Sequence, residues 1–381
     1  MKFSVMKSVL MNVLTPAMGT VSNKNTITSI EGVLIETLEN GKIRISTYDM
    51  NKGIRATFEP TSVEEEGKYI INAQRFYQTI RALPDDELTI EVSESLNCTV
   101  SAGKASFSMF ATKGDDFPNL PELISDRGFK ISSQVLKNII GKVAHSVAVA
   151  DNRVMLTGAF FKINKEGIEV VSCDNYTLSK CSVKCEVDDA TDESYSFIIP
   201  GHALGEIVKV LPDKDDYKCS VYLSRKHAII ICDDLIFFTR TIDSEYIDYN
   251  RIIPKDNDIF VTAERERVLV GLERANIIAE EKIAGSGRSY VKIKAEDDYL
   301  TITSTSVNGK VFDEMDCEHE GSDIEIGFNC RYLINSIRAA EGERIKMSFK
   351  SPTHAITIEP GEEIENYDYF YMVLPVRMSE Q

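Results

Sequence analysis

Three stretches of this 381-residue chain read as versions of one another, and their spacing restricts the fold more than any other feature. They are INAQRFYQTIRALPDDELTIEV from Ile71, IPGHALGEIVKVLPDKDDYKCSV from Ile199 and FNCRYLINSIRAAEGERIKMSF from Phe328. Each runs from a strand end through a cap-like residue (Asn72, Pro200, Asn329) into a helix with apolar residues at helical spacing. Phe76, Leu204 and Leu333 correspond, as do Ile80, Val208 and Ile337, at offsets of 128 and 129 residues. A period of that length is a whole domain, far longer than a solenoid unit.

The rest of each copy follows suit. Alternating runs such as GKIRISTYDM, GIEVVSCDNYTLSKCSV and YLTITSTSVNGKVFDEM precede the helix, and ASFSMFA, HAIIICDDLIFFTRT and HAITIEP follow it, all with the period of two that strands show. A second helix opens each copy, so helices are predicted over 7–18, 73–83, 133–147, 201–211, 264–279 and 330–340. The opening MKFSVMKSVLMNVLTPAMG has the look of a signal peptide, but Asn12 and Pro16 interrupt it and the repeat makes it the first helix of the first copy. The stretches GDDFPNLPE and DSEYIDYNRIIP end the first two copies, with Phe117 and Tyr246 in register, and read as linkers. The expected fold is α+β, with three similar domains at 1–126, 127–253 and 254–381, each of two helices and antiparallel sheets. No apolar run reaches the length of a membrane span, so no membrane partner is expected.

Sixty acidic and 43 basic residues give a net charge of −17, which taken alone argues against a polyanionic partner. The distribution says otherwise. The predicted helices hold Lys7, Arg75, Arg81, Lys137, Lys142, Lys209, Arg265, Arg267, Arg274, Arg331 and Arg338 against four glutamates, a net of +7 that leaves −24 elsewhere. Lys and Arg are good helix formers on any solvated face, but that explanation predicts Glu as often, and Glu is scarce on five of the six. One basic, helix-lined surface and an acidic exterior suit a protein whose helices meet a polyanion while its outside stays unattractive to stray nucleic acid.

Chemistry is poorly supported. The eight cysteines are scattered and read as reduced thiols of a cytoplasmic protein, with Cys181 and Cys185 on a strand and His319 and His354 too far off for a zinc site. The acidic clusters at Gly114–Phe117 and Asp213–Tyr217 fall in a linker and a turn, where Asp is commonplace. AGSGRS at 284–289 lacks the phosphate-loop spacing and its Lys, and His145, His202 and His227 have no partnered Ser, Cys or Asp at a spacing that supports catalysis. No metal, cofactor or catalytic residue is expected. A β-rich scaffold that binds only proteins is the other alternative, and it has no need to strip Glu from its helices.

The tail YFYMVLPVRM, Tyr369 to Met378, is apolar where most domains fray. Register makes its first part the last strand of the third copy. With MKFSV, DFPNLPE at 116–122, EIGFNCRYL at 325–333 and the closing LPVRM, the chain resembles the bacterial sliding clamps, the beta subunit of DNA polymerase III, over nearly its whole length.

That resemblance implies a homodimer closed head to tail into a ring, sheets outside and helices lining a hole threaded by double-stranded DNA. By position Lys24, in SNKNT, resembles the family's DNA-touching loop residue, and Arg75, Arg81, Lys137, Lys142, Lys209, Arg265, Arg267, Arg331 and Arg338 are DNA-facing candidates by charge. Phe107 resembles the aromatic of the dimer's edge strand, and Ile277 with Ile278 the apolar pair it packs against. The resemblance also implies a pocket that takes a short apolar peptide from the polymerase catalytic subunit, the clamp loader and other replication and repair proteins. Its residues are Arg153, Leu156, Cys173, Asn175, Tyr176, Leu178, Ile247, Arg251, Ile252, Met372, Leu374, Pro375, Val376 and Arg377. The chain departs from the family pattern at Asn175 and Tyr176, where Gly-His is frequent, at Cys173 for threonine and at Ile247 for proline, and Ser379, Glu380 and Gln381 extend past the usual end.

Overall fold

The computed structural model describes residues 1–22, 28–121, 127–190, 194–214, 216–224, 226–279, 290–306 and 309–378. Its helices are α1 Lys7–Ala17, α2 Ala73–Ala82, α3 Ser133–Val143, α4 Gly201–Val210, α5 Arg265–Ala279 and α6 Cys330–Ala339, one for each predicted stretch. Asn72 caps α2 by accepting the Arg75 N–H, and Asn329 caps α6 by accepting the Arg331 N–H, which satisfies donors that a helix start leaves open. Helix α3 stops four residues short of its predicted end and tightens into a 3-10 turn over Ala144–Ser146. At the chain's start, Phe3, Val5, Leu10 and Leu14 are buried in the core.

By contacts the chain divides into two compact units, residues 1–137, 188–190 and 202–241, and residues 138–187, 191–201 and 242–381. The first unit holds one 13-stranded antiparallel sheet. Its seam between first and second repeats is the pairing of Lys52–Phe58 with Leu235–Arg240, Phe237 opposite Ile54. The second unit holds a nine-stranded sheet, in which Thr177–Lys184 of the second repeat pairs with Tyr367–Val373 of the third, and a four-stranded sheet built from 291–328. Strand exchange between successive repeats therefore makes the units differ from the thirds of the sequence.

The strand Tyr367–Val373 is fastened to the end of α6 by its own tyrosines. The Tyr371 hydroxyl donates to the Ala339 carbonyl (3.0 Å), and the Tyr369 hydroxyl donates to the Glu341 carbonyl (2.9 Å) while accepting the Glu341 N–H (2.6 Å). The Ala339 carbonyl, which the C-terminus of α6 leaves without a partner in the helix, and that of Glu341 just beyond it are thus satisfied by buried phenols.

Candidate functional site

The site begins with a hairpin. Strands Gly167–Cys173 and Thr177–Lys184 are joined by a turn in which the Asp174 carboxylate accepts the N–H groups of Tyr176 (3.0 Å) and Thr177 (2.7 Å) and the Thr177 hydroxyl (2.9 Å). Asn175 sits at φ +80°, a left-handed conformation that Gly adopts freely and Asn tolerates better than most residues. The replacement of Gly by Asn thus keeps the turn. Leu178 pairs with Met372 and Thr177 with Val373, and the tail beyond is held by main chain. The Leu374 N–H donates to the Tyr176 carbonyl (2.8 Å) and the Val376 N–H to the Gly327 carbonyl (2.8 Å). Gly327 suits this close approach, because a Cβ would lie 2.9 Å from Met378 Cγ and 3.2 Å from Tyr290 Cδ2, and both side chains would have to give way.

This framework brings Leu156, Cys173, Leu178 and Met372 into one buried apolar cluster with Val171 and Tyr249, against which Ile247 packs half-buried. Around it Arg153, Tyr176, Arg251, Ile252, Leu374 and Arg377 are exposed, and Pro375 and Val376 are half-buried. An apolar floor with exposed apolar side chains on its rim is what an anchoring side chain from a partner needs. Sequence reasoning missed Phe160 and Tyr246, stacked at 5.0 Å, and Tyr332 of α6, stacked on Tyr176 at 5.6 Å and 18°. The signal for Tyr332 was present in NCRYL, an aromatic beside a charge on an otherwise regular amphipathic helix.

The rim's polarity is fixed by Asp151. Its carboxylate accepts the Arg153 Nε–H (3.2 Å) and backbone N–H (2.8 Å) and the Asn175 amide (2.6 Å), and these bonds, the Arg153 side chain foremost, hold its pKa at about 2. Arg251 pairs with Asp248 at 2.8 Å. Burial pushes the Cys173 thiol up, so Cys173 stays a neutral, apolar wall.

Spacing alone pairs His145 with no serine, but the fold places its Nε2 3.1 Å from Ser179 Oγ, which lies 2.7 Å from Ser146 Oγ. Both serines are fully buried, and the imidazole packs edge-on against Tyr371. Burial pushes His145 down from 6.5 to about 4. A depressed imidazole favours the neutral form on folding, so its contribution is complete above pH 6.5 and is lost as pH falls toward 4. Between pH 7.5 and 5 this amounts to ~2 kcal/mol. Urea unfolding of His145→Gln should show that much less acid destabilisation than the parent, and an equal slope in both would exclude His145 as its source.

The helix charges separate into groups. Arg75 and Arg81 on α2 and Arg331 on α6 are exposed. Lys137 pairs with Asp213, Lys209 with Glu206 (3.1 Å), Arg267 with Asp316 (3.9 Å) and Arg338 with Glu273 (2.7 Å), while Arg265 donates to the Gly342 carbonyl (3.0 Å). Lys142 must be removed from the DNA-facing set. It is 2% exposed, with Nζ 4.2 Å from the centre of the Tyr369 ring and 2.9 Å from Glu341, a buried cation held by an aromatic face and one carboxylate. Lys7 is occupied too, donating to the Arg81 (3.1 Å) and Leu83 (2.5 Å) carbonyls at the end of α2. Lys24 and the stretch 284–289 lie outside the described residues.

The edge-strand candidates are open. Within Ala105–Lys113 the first six residues pair, among the described residues, only with Asn97–Ala102, and carry Phe107 at 43% and Phe110 at 85% exposure. On the second unit, Ile277 at the end of α5 is 72% exposed and Ile278 half-buried, and the edge strand Lys310–Asp316 carries the exposed Phe312. Phe110 and Phe312 were not singled out from sequence, although Phe110 lies three residues beyond Phe107 in the same run.

Models of the DNA polymerase III beta subunit match in chain order, the N-terminal domain over residues 1–121, the central domain over 130–248 and the C-terminal domain over 250–377. The beta sliding clamp of Bacillus subtilis (strain 168) is 25% identical over 389 residues, spanning 99% of this chain and all of the relative (100%). A crystal structure of a putative DNA polymerase III beta subunit from Eubacterium rectale matches with a TM-score of 0.89 and 26% identity, covering 99% of this chain and 100% of that one. The beta subunit of Thermotoga maritima shares the fold, with a TM-score of 0.89 at 24% identity over 99% and 100% of the two chains. With its three domain models matched end to end, the chain belongs to the DNA polymerase III beta subunit family, the bacterial sliding clamps.

Proposed function

We propose that this protein is the processivity clamp of a replicative polymerase, acting as a homodimer of six domains, with boundaries at 126/127 and 253/254, closed head to tail around duplex DNA in the cytoplasm. The observation that carries the reading is the tail: main-chain bonds at Leu374 and Val376 fix its course while Leu374 stays exposed beside an apolar floor. Main chain supplies position and side chains supply a landing place for a peptide of the polymerase catalytic subunit, the clamp loader or a repair protein. Encirclement replaces affinity. Exposed arginines such as Arg75, Arg81 and Arg331 need only weak, salt-sensitive contacts with phosphates, and the acidic remainder repels stray nucleic acid. The reading assigns no catalysis to the chain: His145 is half-buried and neutral, and Asp213 and Asp115, from the two acidic clusters, pair with Lys137 and Lys68. Among the described residues no helix is long and apolar enough to cross a membrane.

The test is topological. The protein is loaded by a clamp loader onto nicked circular plasmid, and the plasmid is then linearised. Retention on circles with loss from linear ends is the expected result. Release that ignores ends and follows salt alone would make the protein an ordinary electrostatic binder.

A further inference from the structure

The turn that carries Tyr176 has a twin in the first unit. Asp49 Oδ1 accepts the N–H groups of Asn51 (2.9 Å) and Lys52 (2.8 Å), as Asp174 Oδ1 accepts those of Tyr176 and Thr177. Met50 holds φ +76° where Asn175 holds +80°. The following strand pairs Gly53 with Phe238 and Lys52 with Thr239, and the Arg240 N–H donates to the Asn51 carbonyl at 2.8 Å. In the second unit Leu178 faces Met372, Thr177 faces Val373, and the Leu374 N–H donates to the Tyr176 carbonyl at the same 2.8 Å. The backbone frame of the proposed pocket is built twice, with Tyr48 where the other has Cys173 and Phe238 where it has Met372.

The frames differ in their filling. The Tyr48 and Phe238 rings lie 5.7 Å apart in the first, and both are buried. Gly53 makes room for them: a Cβ there would sit 2.4 Å from Phe238 Cζ, at the position Leu178 fills in the second frame. The Tyr48 hydroxyl donates to the Met50 carbonyl (3.2 Å) and the Arg55 guanidinium stands 5.8 Å from the Phe238 ring centre, closing the cluster from the turn and from the sheet. The rim changes character too, with Asn51 in place of Tyr176 and Arg240 in place of Leu374.

We infer that the first frame is a second peptide pocket closed by its own chain, the rings of Tyr48 and Phe238 occupying the volume that a partner's bulky apolar side chain takes in the second. This rests on the peptide-pocket reading of the second frame. It accounts for a single peptide site on a chain whose repeats build the frame twice, and it makes the first frame a latent site for the same class of ligand, a short peptide with an apolar anchor.

Methionine methyl NMR separates the two frames, because Met50 reports on the first and Met372 on the second. The probe is N-acetyl-leucyl-phenylalanine amide, added to the full-length parent, to Tyr48→Cys, to Phe238→Ala and to Phe237→Ala. Phe237 is fully buried and its side chain points to the opposite face of the strand, so its loss leaves a hole away from the frame. The expected result is a saturable shift of Met372 alone in the parent and Phe237→Ala, and of both methyls in Tyr48→Cys and Phe238→Ala. A folded Tyr48→Cys in which Met372 responds and Met50 does not would overturn the latent pocket, as would a Met50 response in Phe237→Ala. A parent in which Met372 is silent, with Met50 responding in Tyr48→Cys, would instead refute the reading of the second frame.

Discussion

Leu374→Asp combined with Val376→Asp lowers partner-peptide affinity at least ~100-fold and leaves the chain folded. Leu374 is exposed and Val376 half-buried, and both are held through their N–H groups, which the substitutions keep. The tail should therefore stay in place. What changes is the surface: two carboxylates now face the apolar side chain that a partner would bury beside Met372 and Leu178, and stripping water from them without a counter-charge costs several kcal/mol, of which ~2.7 kcal/mol already gives the hundredfold loss. Fluorescence anisotropy of a labelled peptide from the polymerase's clamp-contacting segment reads the affinity, and a thermal melt of the same sample reads the fold. Binding within about threefold of the parent, in a protein that melts normally, would remove the tail from the peptide site.

Phe110→Asp with Ile277→Asp should convert the dimer to monomers, raising the dissociation constant by at least ~100-fold. Both side chains are exposed in the single chain, so the substitutions remove no core contact. An open edge strand with two phenylalanines on one unit and an exposed isoleucine near an edge strand with Phe312 on the other are features that a soluble monomer avoids, because unpaired edges recruit further strands. Sedimentation velocity should show a single species of half the mass, with peptide binding unaltered and retention on circular DNA gone. A dimer that persists would place the subunit contact elsewhere.

The helices were legible because their signals are local. Asn72 and Asn329 announce two of the starts, and Phe76 with Ile80, or Leu333 with Ile337, mark one buried face four residues apart. Strand partners were not legible. Nothing near Lys52–Phe58 says that it pairs with Leu235–Arg240, since such a register is decided by packing across nearly two hundred residues of chain. The charge reading failed at Lys142 for a related reason. A lysine in an amphipathic helix is assigned to solvent by its type, whereas Tyr369 and Glu341, which hold it, come from the far end of the sequence. The acidic partners of Lys137 and Arg267, Asp213 and Asp316, also lie outside the helices whose composition was counted. The residues of the proposed pocket came from the family resemblance, the fold gathers Leu156, Cys173, Leu178 and Met372 into one cluster, and the aromatic neighbours that flank them came only with the fold.

Because the tail is laid down by the amides of Leu374 and Val376, its course does not depend on which side chains those positions carry. A lineage exposed to an inhibitor of the site is then free to exchange leucine or valine for another apolar residue and retain assembly. Gly327 has less freedom: a Cβ there lies 2.9 Å from Met378 Cγ and 3.2 Å from Tyr290 Cδ2, so a larger residue presses on the side chains packed beside the tail. A residue that backs the proposed recognition surface is therefore more tightly constrained than the side chains that form it, and a compound that wedges the tail away from Gly327 would leave resistance fewer routes than one that copies the peptide.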